Sequence, residues 1–205
     1  TMTDNFKRWF GDSKVVDDEG KPLVVYHGTN KDISTFEPKR GAIWFAVDHQ
    51  LSGKFVAGGR QSIGKKPGKG AVMYPVYLRI NNPLDLTDMG LGDVVSMADI
   101  LEQAGAPHDD AALAAIAQAN LDSKYVFVAP AMGDPVAYLV MEYKRGKRLS
   151  NLLDDRALID ALKAAGVDGL KLTEEYETGP KRAPLETMSE TYAVFDSNQI
   201  TSATG

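Results

Sequence analysis

The 205 residues contain no cysteine, which excludes a disulfide framework, a cysteine-based zinc site and a thiol nucleophile together. Histidine is almost as scarce. His27, His49 and His108 stand far apart, with no HxxxH spacing to bring two imidazoles onto one helix face, so no metal site is expected. No run approaches the roughly 18 apolar residues that a membrane-spanning helix requires. Thr1 to Trp9 has neither the apolar stretch nor the small-residue cleavage site of a signal peptide, so a soluble, cytoplasmic protein without membrane partners is expected. Positive charge is not in excess either: 23 Lys+Arg against 28 Asp+Glu give a net charge of -5, which argues against a surface built wholly for phosphate.

What remains is ordinary globular composition, 43% hydrophobic and 25% charged, at a length that suits one domain spanning 1–205 with a small insert. Thr1 in place of an initiator and the abrupt end at Gly205 lead to the expectation of a piece of a longer chain. Phe6 to Phe10 reads as a short amphipathic helix stopped at Gly11. Lys14–Val16 and Leu23–Tyr26, separated by the turn residues Asp17 to Pro22, read as a hairpin feeding a buried strand that ends at His27-Gly28-Thr29. Ile43–Ala46 is a short strand, and Asp48 is a fitting N-cap for a helix to about Ala57. Ala71–Ile80 alternates as a strand with Val72, Tyr74, Val76, Leu78 and Ile80 on one face.

Between Asp93 and Leu121 alanine dominates, and Gly105-Ala106-Pro107 breaks the stretch into two helices. This is the expected helical insert. Tyr125–Val128 and Val136–Tyr143 fit strand or helix equally. Asn151–Ala165 reads as one amphipathic helix, Val167–Leu172 as a strand, Glu174–Glu190 as a charged loop, and Thr191–Phe195 as the last strand.

Several tempting chemistries fail on inspection. Gly59 to Lys65 fits GxxxxGK, but Lys66 stands where a nucleotide P-loop needs Ser or Thr, leaving a basic glycine-rich loop, Gly58 to Gly70. The adjacent acids Asp154-Asp155 and Glu174-Glu175 point apart on any regular element and do not make a proton-sharing pair. The arrangement that stands out is distributed: Tyr26-His27-Gly28-Thr29 at a strand end, then Trp44-Phe45-Ala46, then Ser52 and Phe55, and finally Glu190-Thr191-Tyr192-Ala193-Val194-Phe195-Asp196.

On these residues the chain resembles ADP-ribosyltransferases of the diphtheria-toxin and poly-ADP-ribose-polymerase type, whose motif is His, Tyr and Glu on three strands. It is most similar to the ADP-ribosyltransferase-like domains of phage and prophage polyvalent proteins, through Trp9 to Val16, Gly20 to Thr29, Asn82-Pro83-Leu84, Gly166-Val167-Asp168-Gly169 and Phe195 to Ile200. Trp44 and Phe55 are 11 residues apart, the spacing of the two tyrosines that clasp nicotinamide in that family. The resemblance implies an α+β fold of two packed, mainly antiparallel sheets around an NAD cleft, and an enzyme that needs no metal.

By the same resemblance His27 binds a ribose hydroxyl. Gly28, Thr29, Trp44, Phe45, Ser52, Phe55 and Thr191 line the cofactor pocket, where two aromatic faces hold nicotinamide flat and the Gly28 backbone meets its carboxamide. The closing strand departs from the pattern, because Thr191 occupies the place of the catalytic glutamate and Glu190 precedes it. Strand alternation sends Glu190 to the opposite face unless a bulge intervenes. The catalytic acid is therefore expected to be Glu190 through a bulge, with a loop acid (Glu174, Glu175, Glu177 or Glu186) or no acid as alternatives. The implied function is mono-ADP-ribosyl transfer from NAD to a macromolecular acceptor, protein sooner than nucleic acid, by a monomeric phage- or toxin-associated effector delivered by a phage particle or secretion system. The alternatives are a silent NAD-binding or docking module and an NAD glycohydrolase.

Overall fold

The computed structural model describes residues 2–29, 33–38, 41–56, 72–178 and 185–204. The basic loop 58–70, with Arg60, Lys65, Lys66 and Lys69, lies outside them. The chain forms two compact units, Thr1–Asp88 with Asp168–Gly205, and Met89–Val167.

The first unit opens with α1 (Asp4–Phe10), whose first turn is capped by the Thr3 hydroxyl and which ends at Gly11, φ +53°. Strands β1 (Val25–Thr29), β2 (Ile43–Ala46), β3 (Val72–Leu78) and β4 (Pro83–Asp85) follow, with helix α2 (His49–Val56) between β2 and β3. The Asp48 carboxylate accepts from the Gln50 amide at 2.7 Å and so starts α2. The second unit intervenes in sequence. Strands β7 (Gly169–Thr178), β8 (Leu185–Val194) and β9 (Ile200–Ser202) complete the first unit.

These strands form one seven-stranded sheet in the order β4-β7-β8-β2-β1-β3-β9, antiparallel at every junction except β4 with β7. The expected two packed sheets are thus continuous here, because short β2 pairs on both edges, with β1 and with β8. The expected hairpin also changes. Lys14–Val16 contributes a single bridge, Val16 to Pro22, and β1 pairs with β2 and β3. One sheet face buries Val15, Val25, Ile43, Phe45, Val76, Leu78, Ile80, Tyr192 and Val194 as a contiguous core. Burying each such side chain contributes about 1.5–3 kcal/mol.

The second unit is helical: α3 (Met97–Gln103), α4 (Asp110–Asp122), α5 (Pro135–Arg145), α6 (Leu149–Leu152) and α7 (Arg156–Ala164), with a two-stranded ribbon of β5 (Val94–Val95) and β6 (Lys147–Arg148). It contains the alanine-rich stretch and runs well beyond it. Val136–Tyr143 is helical, capped by Asp134 with Pro135 in the first turn. Asn151–Ala165 is two helices rather than one, because the Asp155 carboxylate accepts from the Leu158 amide and restarts the helix at Arg156.

Candidate active site

Strand register decides which side chains can meet. Tyr26 lies opposite Ala46, Ala46 opposite Thr191, and Thr191 opposite Leu172. Paired residues share a face, as do residues two apart on one strand. Gly28, Trp44, Thr191, Glu174 and Tyr176 therefore stand on one face of the sheet, and His27, Phe45, Tyr192, Glu190 and Lys171 on the other.

Helix α2 covers the first face. Leu51 packs on Ala46 and Tyr176, and the Ser52 hydroxyl, 2% exposed, donates to the Tyr26 carbonyl at 2.7 Å. That bond leaves Ser52 an acceptor for any further partner. Two contacts tie the start of α2 to the β7–β8 pair: the Asp48 amide donates to the Ser189 hydroxyl at 3.1 Å, and the Tyr176 hydroxyl donates to the Asp48 carboxylate. Burial pushes the Tyr176 hydroxyl up to about 12, and the bond to Asp48 and its charge add to the shift. Trp44 is half-buried on this face. Phe55 falls in α2, with its side chain outside the described residues.

The acid on this face is Glu174. Its side chain is 8% exposed, and its carboxylate accepts from the Thr191 hydroxyl, itself 3% exposed, at 3.1 Å. Residues expected as a charged loop are strand here: β7 and β8 pair without interruption from Gly169–Val194 out to Thr178–Leu185. Alternation in Leu170, Leu172, Glu174 and Tyr176 was the available signal, an acid set into an otherwise apolar stripe. Glu175, Glu177 and Glu186 occupy the reverse, exposed side of the same hairpin.

The unbroken register also means that no bulge turns Glu190 toward Thr191. Glu190 sits on the opposite face, 2.9 Å from the Lys171 ammonium, and accepts from the Tyr192 hydroxyl at 3.1 Å. Burial, then the Glu190 charge, pushes the Tyr192 hydroxyl well above the usual phenol range.

His27 shares that opposite face at the end of β1. Its Nδ1–H donates to the Trp44 carbonyl at 2.8 Å, and its ring lies 5.4 Å from both Phe36 and Phe45. Phe45 is core, 1% exposed. Burial lowers the His27 pKa against the opposing pull of the Trp44 carbonyl. The imidazole is therefore neutral near pH 7, with Nδ1 as donor and Nε2 as acceptor. Thr29 ends β1 one residue beyond Gly28.

Among the described residues no group of His, Asp and Glu could hold a metal ion, and no helix is long and apolar enough to cross a membrane. The antiparallel sheet thus sets half-buried Trp44, Thr191 and the buried Glu174 carboxylate on one face and the strand-end His27 on the other. The family model of ADP-ribosyltransferases in polyvalent proteins matches residues 17–205, and the chain belongs to that family. No curated protein and no solved structure matches it.

Proposed function

We propose that this domain transfers a single ADP-ribose from NAD to a macromolecular acceptor, protein sooner than nucleic acid, in a phage- or toxin-associated setting, with Glu174 as its carboxylate. The observation that carries this reading is the buried Glu174 carboxylate beside Thr191, the position the family resemblance reserves for the acid. NAD supplies a ribosyl group activated by nicotinamide as leaving group. A fixed carboxylate on the face shared with Trp44 lowers the barrier by meeting the positive charge that develops on the ribose as that bond opens, with no solvent to reorganise.

The other residues bind and orient. The Trp44 ring offers a stacking surface for nicotinamide. The Gly28 backbone can approach its carboxamide closely, and Ser52 can accept from the amide nitrogen. Neutral His27 holds the Trp44 backbone from the opposite face, its Nδ1–H on the Trp44 carbonyl, and so orients the strand that carries the stacking ring. The net charge of -5 favours a protein acceptor over a polyanionic one. A silent binding module would lack an acid beside Thr191, and Glu174 speaks against it.

The test is nicotinamide release, and transfer of label from NAD into a cell lysate, by wild type, His27→Ala, Glu174→Gln and Glu190→Gln. Loss in His27→Ala and Glu174→Gln with retention in Glu190→Gln is expected. Loss in Glu190→Gln alone would return the acid to β8. Release without label transfer, unchanged by lysate, would make the domain a glycohydrolase, and no release by wild type would overturn the transferase reading.

A further inference from the structure

We propose that Thr191 is a positioning residue that holds the Glu174 carboxylate in its working orientation, so that the acid of this site is built from two neighbouring strands. This rests on reading Glu174 as the reacting carboxylate. Glu174 lies opposite Ser189, and Thr191 opposite Leu172, so the two are diagonal neighbours on one face of the β7–β8 pair. Both are buried, at 8% and 3% exposure, and a hydroxyl shut away from water needs an acceptor for its proton. That acceptor is Glu174 Oε2, at 3.1 Å.

Thr191 suits the task better than a flexible residue. A β-branched side chain in a strand has a restricted χ1, so its hydroxyl points one way without loss of further rotamer freedom. On the other edge of β8 its partner is Ala46, on which Leu51 of α2 packs. A hydroxyl donating to a carboxylate is a charge-assisted bond, stronger than a neutral one and directional. The arrangement is reciprocal in space. Two side chains that meet from adjacent strands can exchange places, a threonine at 174 then facing a glutamate at 191, with the same hydroxyl–carboxylate pair.

The experiment measures kcat and KM for nicotinamide release from NAD by wild type, Thr191→Val, Thr191→Ser, Glu174→Thr and the exchanged double variant Glu174→Thr/Thr191→Glu, with melting curves to verify folding. Valine keeps the shape and removes the donor, so kcat should fall about tenfold or more while KM moves little. Serine should restore most of that loss. Glu174→Thr should lose about a hundredfold or more, and the exchanged variant should recover at least about tenfold of it. Thr191→Val with wild-type kcat, Thr191→Ser as impaired as Thr191→Val, or an exchanged variant no better than Glu174→Thr would each overturn the proposal. If valine does not fold, serine and the exchanged variant decide the matter. Full activity in Glu174→Thr itself would instead overturn the assignment of Glu174 on which the proposal rests.

Discussion

The Tyr176 hydroxyl donates to the Asp48 carboxylate and so ties strand β7 to the first turn of helix α2. Tyr176 follows Glu174 by two residues on the same face, and α2 carries Ser52, so this bond, with the Asp48 amide on the Ser189 hydroxyl, ties the helix to the strands that carry the acid. Tyr176→Phe should lower stability by about 1–2 kcal/mol and raise the KM for NAD more than it lowers kcat. Desolvation opposes ionisation of Asp48, but the Tyr176 hydroxyl, the Gln50 amide and His49 outweigh it and hold its pKa below the ordinary carboxylate value. The stability this contributes is present above about pH 4 and lost as pH falls further. Melting curves from pH 7 to 3 should show a shallower acid loss in Tyr176→Phe than in wild type.

His27 predicts a second pH dependence, of different origin. Burial depresses its pKa below the ordinary 6.5, so below that value the unfolded chain binds a proton that the folded chain resists. Stability should rise as pH increases toward 6.5 and level off above it. His27→Gln should flatten this slope in melting temperature between pH 5 and 7, while wild type retains it. A wild-type curve flat over that interval would contradict the buried, neutral imidazole.

How much of this was legible beforehand divides by the range of the interaction. His27-Gly28-Thr29 at a strand end, Asp48 as the start of a helix and the alternating strand around Val72–Leu78 rest on local patterns, and all three stand in the structure. The run of charges around Glu174 has the composition of a loop, whereas pairing along β8 makes it strand and buries one edge. A composition rule averages over both faces of a strand. The continuous sheet was equally out of reach, since it depends on four residues of β2 pairing with β8 nearly 150 positions away. The break between α6 and α7 hinges on one carboxylate, Asp155, which caps α7 and also accepts from buried Asn120. Nothing in the apolar periodicity of 151–165 reports that.

At Gly169 the first residue of β7 has no room for a side chain. A Cβ there would stand 2.7 Å from Ile80 Cγ2 and 2.8 Å from the Ala193 carbonyl oxygen. The carbonyl belongs to the adjoining strand and cannot move aside without disturbing the ladder. Gly169→Ala should cost about 1–3 kcal/mol, seen as a lower denaturation midpoint in urea. A wild-type midpoint would show that the β7–β8 junction is softer than its geometry.

Gln199 makes the strongest stability prediction. It is 6% exposed, and its amide is fully used: the oxygen accepts from the Phe195 and Asp196 amides at 3.1 and 3.0 Å, and the nitrogen donates to the Arg79 and Asp168 carbonyls at 3.0 and 2.7 Å. One side chain thereby joins the ends of β3 and β8 to the residue before β7. Gln199→Leu preserves bulk but takes this partner from two amides and two carbonyls, of which the Phe195 amide lies in a buried residue. A buried polar group left unpaired costs about 1–3 kcal/mol, and with the three further bonds lost the sum should exceed the effect of Tyr176→Phe. Gln199→Glu should be no better, because a carboxylate would face two carbonyl oxygens that need a donor. Urea unfolding at unchanged m-value measures the loss. None of the four bonds involves Trp44, Glu174 or Thr191, so the fraction still folded should keep the wild-type KM for NAD, and a raised KM would show that this junction reaches the site.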